Sequence, residues 1–231
     1  MLKNKVMLCG DSISKGIIYD SIANKYKKCE KAFAGMLDKI FNTNILNISK
    51  FGNTVSRAEK RFYKAFNENK PDVVIFELGG NDCDFNWDEI SENPQGIHIP
   101  NTEIEQFSIS LKSMTSKVME DGKRPILMNL TPLNPDAYFK WISHNDKTRG
   151  DNILDWLGSV SKIYWWQERY NSAVQDIARK QGVELIDVRN EFLKRYDFRD
   201  CLCEDGIHPN AKGQQLIAGV LEKHFNNLIS A

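Results

Sequence analysis

Ser12, Asp205 and His208 are the residue types that together can turn a hydroxyl into a nucleophile. Ser12 closes the string Cys9-Gly10-Asp11-Ser12, and Asp205-Gly206-Ile207-His208-Pro209 sets a carboxylate and an imidazole three positions apart. A serine hydroxyl attacks poorly at neutral pH unless a histidine takes its proton and a carboxylate holds that histidine in the productive tautomer. Two further segments, Phe51-Gly52-Asn53 and Leu78-Gly79-Gly80-Asn81-Asp82, each follow an apolar run and could supply donors to an oxyanion. The chemistry that such a set performs is acyl transfer to water.

These four blocks, in this order and spread over nearly the whole chain, resemble the SGNH hydrolases, also called the GDSL esterase/lipase family. The first block continues Ser12-Ile13-Ser14, so the literal GDSL string is absent, a departure that falls beyond Ser12. The resemblance implies a flavodoxin-like three-layer fold with its site at the carboxyl ends of the strands. It also implies that Ser12 is the nucleophile, His208 the base and Asp205 its orienter. The Gly52 amide and the Asn81 side chain would join the Ser12 amide in an oxyanion hole.

Each block also has a plainer reading. Gly10-Asp11-Ser12 alone could be a strand-to-helix turn with a capping side chain. At a helix start, however, Ser12 would place its own N–H, with the helix dipole behind it, beside developing negative charge. Gly52 and Asn81, taken singly, could be turn residues, with Asn53 and Asp82 steadying the loops. Of the other histidines, His224 falls in a helical stretch, while His98 and His144 fall in loop-like insertions that could touch substrate. Only His208 has a carboxylate at a spacing that lets a short turn fold it back onto Nδ1. Cys201 and Cys203 invite a metal reading, but a structural zinc site takes four ligands, and no metal or other cofactor is expected.

The elements that must position these residues alternate. Lys5–Cys9, Asn44–Ile48, Asp72–Leu78, Pro125–Leu130 and Val183–Val188 read as short buried strands. Glu30–Phe41, Val55–Asn67, Thr102–Asp121, Ser161–Gln181 and Ala211–Leu228 read as helices. That alternation predicts an α/β/α sandwich around a five-stranded parallel sheet, in one catalytic domain spanning residues 1–231.

Balanced charge, 31 basic against 31 acidic residues, gives no global field for nucleic acid or an anionic membrane. No apolar run approaches spanning length, and the start lacks the pattern of a secretory signal, so a cytoplasmic protein is expected. Five cysteines, an odd set, suit a reducing compartment.

Two aromatic-rich stretches lie between the blocks, at 84–101 and 131–166. Tyr164, Trp165 and Trp166 sit on or beside a helical stretch, where core packing is the simplest account. Trp87, Tyr138, Phe139 and Trp141 are expected in loops after the third and fourth strands, as walls of the substrate pocket. Their charged neighbours, including Lys140, Asp146 and Arg149, favour a small acyl group on a polar alcohol, such as an acetylated sugar, over a long-chain lipid. The same site could instead serve a lysophospholipase or thioesterase. An idle carbohydrate-binding protein on the same fold is the alternative outside enzymes. A small-molecule ester is the expected partner, and the sequence leaves the oligomeric state open.

Overall fold

The computed structural model describes residues 5–40 and 45–229. In chain order the elements are β1 (Val6–Gly10), α1 (Ser12–Lys15), β2 (Ile17–Asp20), β3 (Lys25–Lys28), α2 (Phe33–Ile40), β4 (Leu46–Asn47) and α3 (Val55–Asn69). Then follow β5 (Val73–Glu77), α4 (Trp87–Glu92), α5 (Ile104–Glu120), β6 (Arg124–Met128), α6 (Pro135–Ile142) and α7 (Lys147–Leu157). The chain closes with α8 (Ser161–Gln181), β7 (Glu184–Ile186), α9 (Val188–Leu193), a 3-10 turn at Phe198–Cys201 and α10 (Ala211–Ile229).

Five strands form one sheet in the order β4-β1-β5-β6-β7, and every neighbouring pair is parallel. Counting only these strands, the order is that of flavodoxin. The strands are apolar on both faces because helices cover both. Met7, Cys9, Val74, Phe76 and Leu127 pack with α3, α5 and α8, whereas Val6, Leu8, Ile75, Ile126 and Met128 pack with α2, α9 and α10. Each such fully buried aliphatic side chain contributes about 1.5–3 kcal/mol relative to exposure. The three-layer α/β/α sandwich expected from the sequence is the fold observed.

Boundaries move little: α8 spans the expected residues, and α5 starts at Ile104 rather than Thr102. The last strand stops at Ile186, because the Asp187 side chain accepts from Asn190 N–H and starts α9 where the strand was expected to continue. Phe41 and Asn44, the expected end of one helix and start of one strand, lie outside the described residues.

Two parts depart from expectation. An antiparallel hairpin, β2 paired with β3, follows α1 where no strand was expected. The stretch 131–166, read as loop with a helix at its end, holds two further helices. Asn134 caps α6 with Pro135 in its first turn, and Asp146 caps α7, which ends on Gly158 in the left-handed conformation. With α4 and the start of α8 they enclose a third apolar cluster beyond the sheet, including Phe85, Trp87, Ile90, Tyr138, Ile153 and Leu157. Among the described residues, no helix is long and apolar enough to cross a membrane.

Candidate active site

The end of β1 sets the stage. β1 ends at Gly10, where a side chain would meet Ser14 Oγ at 2.5 Å and the Glu77 carbonyl at 2.8 Å, so only glycine fits. Asp11 then caps α1, its Oδ1 accepting from Ile13 N–H at 2.9 Å, and Ser12 opens that helix.

His208 reaches Ser12 from the far end of the chain. Its Nε2 lies 2.9 Å from Ser12 Oγ, and its Nδ1 lies 2.6 Å from Asp205 Oδ2. The Ile207 and His208 amides donate to Asp205 Oδ1, each at 3.1 Å, which closes the turn between the two residues. Burial pushes the Asp205 carboxyl up, but the hydrogen bond and charge of His208 and these amides outweigh it, leaving the pKa below the ordinary carboxylate value. Gly206 holds the turn at φ +76°, and a side chain there would sit 2.7 Å from the Asn134 carbonyl and the Tyr138 amide. Asn134 N–H in turn donates to the Gly206 carbonyl at 2.8 Å, so α6 buttresses the turn.

A buried polar network lies behind Ser12. Glu77, the last residue of β5, accepts at Oε2 from Ser14 Oγ at 2.8 Å, from Ser14 N–H at 3.2 Å and from Asp11 N–H at 3.4 Å. Burial and then the charge of Asp11 raise the Glu77 carboxyl well above the ordinary range, and burial raises Asp11 as well. Asp11 Oδ2 accepts from the Asn81 side-chain amide at 3.0 Å, which ties the third block to the first. Asp82 is pushed up to about 7, chiefly by burial, while accepting at Oδ1 from Val55 N–H at the start of α3. The second block is tethered by Asn53, whose amide donates to the Gly10 carbonyl at 2.9 Å. Gly52 sits beside it at φ +65°, in the left-handed region.

A cavity of about 630 Å³ opens on Ser12 and His208. Asn81, Trp87, Tyr138 and Trp141 line it, as do Tyr26, Phe51, Trp156, Trp165 and Trp166. Phe139, expected as a wall, does not line it. Placed on α6 rather than in a loop, it packs partly buried against the third apolar cluster. Trp87, Tyr138 and Trp141 are likewise helical rather than in loops: Trp87 opens α4, and the other two project from α6 because the Asn134 cap starts a helix there. His144 lines the cavity, whereas His98 hydrogen-bonds the Asn93 carbonyl at 2.8 Å and His224 pairs with Glu184. Cys203 Sγ accepts from Tyr19 N–H at 3.4 Å, and among the described residues no group of metal-ligating side chains comes together.

Sequence reading did not single out Tyr26 or Phe51. Tyr26 stands on β3, with its ring 5.1 Å from those of both His208 and Phe51. Its only signal was a tyrosine in a short Lys-rich segment, too weak to announce a strand.

A serine, a histidine and an aspartate thus stand in hydrogen-bonded series beside a flavodoxin-like sheet. The profile of the GDSL-like lipase/acylhydrolase family matches residues 8–216, and the chain belongs to that family. It is 25% identical over 156 residues to a GDSL esterase/lipase of Arabidopsis thaliana, covering 65% of this chain and 52% of that one. It is 28% identical over 163 residues to an acetylxylan esterase of Xylanibacter ruminicola, covering 66% and 28% respectively. The chain thus spans about half the length of the first curated relative and under a third of the second. Among solved structures, a lipase/acylhydrolase from Enterococcus faecalis superposes with a TM-score of 0.67 at 17% identity, over 97% of this chain and 96% of that one, a likeness of fold.

Proposed function

We propose that this chain is a serine esterase that hydrolyses small acyl esters, acetyl esters foremost, of polar alcohols such as sugars. The observation that carries the reading is the series Asp205–His208–Ser12, at 2.6 and 2.9 Å, opening on the cavity. In this mechanism Ser12 Oγ attacks the ester carbonyl as His208 Nε2 takes its proton, and Asp205 holds the imidazole through Nδ1. The oxyanion gathers hydrogen bonds from the Ser12 and Gly52 amides and the Asn81 side chain, whose second hydrogen is left over after the bond to Asp11. His208 returns the proton to the leaving alcohol, and water then releases the acyl group with His208 again as base. Likeness to the Xylanibacter acetylxylan esterase supports the acetyl-sugar reading. The tryptophan-rich walls favour a second reading at the same site, a longer acyl group on a thioester or lysophospholipid.

A screen of small esters that varies acyl length and alcohol polarity separates the two, with Ser12→Ala as the control for contaminating activity. Acetyl esters of sugars should lead; a rate that climbs steadily with acyl length would replace the first reading with the second.

A further inference from the structure

The carboxylate of Asp84 has no part in that mechanism. Asp84 lies on the cavity wall, three residues beyond Asn81. Tyr138 Oη donates to its Oδ1 at 2.7 Å, and Trp87 Nε1 donates to the same oxygen at 2.8 Å. Burial pushes its pKa up, and the influences that lower it are hydrogen bonds from Tyr138, Trp87 and the Phe85 amide. Among the described residues no lysine or arginine forms an ion pair with it; Arg149, on the same cavity, is engaged by Asp88 at 2.8 Å and by the Ile142 carbonyl at 2.6 Å. Both side-chain donors converge on Oδ1, and among the described residues no side chain donates to Oδ2.

The carboxylate is also held at a fixed place relative to the reacting end of the cavity. Asn101 N–H donates to the Asp84 carbonyl at 2.7 Å, while the Asn101 side chain donates to the Asn81 carbonyl at 2.9 Å. Aromatic side chains line the same cavity: the Phe85 ring lies 5.0 Å from that of Trp156 and 5.2 Å from that of Trp166.

An apolar acyl chain laid over Asp84 would strip water from a carboxylate and give it nothing in return. A ring that bears hydroxyls can stack on aromatic faces and donate to the oxygen that no side chain engages. An acetyl group fills little of a cavity of about 630 Å³, which leaves the aromatic end to the alcohol. We propose that Asp84, presented by Tyr138 and Trp87, is the hydroxyl-binding carboxylate of the cavity and accepts from the sugar ring of the ester's alcohol. This assignment rests on the polar-alcohol reading above and names the group that would make it selective.

The test compares a monoacetylated methyl xyloside with cyclohexyl acetate, a ring of the same size without hydroxyls. The wild-type protein should favour the xyloside, and Asp84→Asn should cut that preference by roughly ten- to a hundredfold, the range for a hydrogen bond to a charged acceptor, mainly through KM. Tyr138→Phe, which removes one of the donors that aim the carboxylate, should shift the preference the same way by less. A folded Asp84→Asn protein that keeps the full preference overturns the assignment and leaves the sugar-ester reading standing. Should Asp84→Asn fail to fold, an unchanged preference in Tyr138→Phe overturns it instead. A wild-type protein with Ser12-dependent hydrolysis of p-nitrophenyl acetate that favours cyclohexyl acetate over the xyloside removes both. Preference for acetylcholine, lost in Asp84→Asn, would make this a cation site and overturn the hydroxyl assignment.

Discussion

The Tyr26 phenol donates to Asp205 Oδ2 at 3.1 Å, the same oxygen that faces His208 Nδ1 at 2.6 Å. Burial and the neighbouring Asp205 charge push the phenol's own pKa far up, so it remains a donor throughout the working range. Tyr26 is therefore a positioning residue: it draws off part of the charge that Asp205 offers the imidazole and fixes the carboxylate's rotation. Tyr26→Phe should lower kcat by about tenfold and move the acid limb of kcat/KM to higher pH, since the full charge then faces the imidazole. A folded Tyr26→Phe protein with an unmoved limb and normal kcat would show the contact to be packing alone.

Ser12 and His208 act as one unit in the proposed mechanism. Ser12→Ala and His208→Ala should each abolish most hydrolysis of p-nitrophenyl acetate, and the double variant should be hardly worse than either. Additive losses, measured on purified folded proteins, would mean that the two side chains do not share a step.

Asp82 links stability to pH. Its carboxyl is raised to about 7 in the folded protein, so between the ordinary carboxylate value and about 7 the folded state holds a proton that the unfolded chain has lost. Stability from this group is fully present at low pH and drains away as pH rises through that window, by on the order of 4 kcal/mol. Glu77, raised for the same reason of burial, acts with the same sign. Asp82→Asn keeps an acceptor for Val55 N–H and should flatten the decline. Urea unfolding of both proteins near pH 5 and pH 7.5 measures the difference; parallel slopes would refute the linkage.

Asn81 gives the sharpest test of the oxyanion assignment. Asn81→Ala removes a donor that matters when the carbonyl oxygen gains charge, so kcat should fall by about a hundredfold or more with KM little changed. The variant also deprives Asp11 of one hydrogen bond, and thermal unfolding monitors that cost separately. Near-normal kcat on the best ester would remove Asn81 from the mechanism.

The sheet was legible because its strands are short apolar runs covered on both faces, and α8 because its periodic pattern is long. Ser12, Asp205 and His208 could be picked out because a reactive serine, and a carboxylate three residues before an imidazole, stand out at any sequence distance. The hairpin β2–β3 was not legible: Lys25-Tyr26-Lys27-Lys28 has almost no apolar pattern, and the hairpin's two tyrosines, Tyr19 and Tyr26, acquire meaning only against Trp141, Phe51 and His208. The helices α6 and α7 did carry readable signals, Asn134-Pro135 at one start and Asp146 with Gly158 at the bounds of the other. Clustered aromatic and charged residues masked them as loop. Phe139 was misassigned for the same reason, because only helical phase separates it from Tyr138 and Trp141 on the cavity side. The Asp11–Glu77 pair was invisible, since nothing in a sequence announces that the end of β5 will meet the turn after β1.

Ser12 and His208 meet across 196 residues of chain. A ribosome adding about 5–20 residues per second would expose Ser12 roughly ten to forty seconds before His208 exists. In the proposed mechanism the serine is until then an ordinary alcohol, so a nascent or truncated chain should be hydrolytically inert however much of its sheet has formed. On refolding, regained turnover reports the last long-range closure of the chain rather than the growth of its secondary structure.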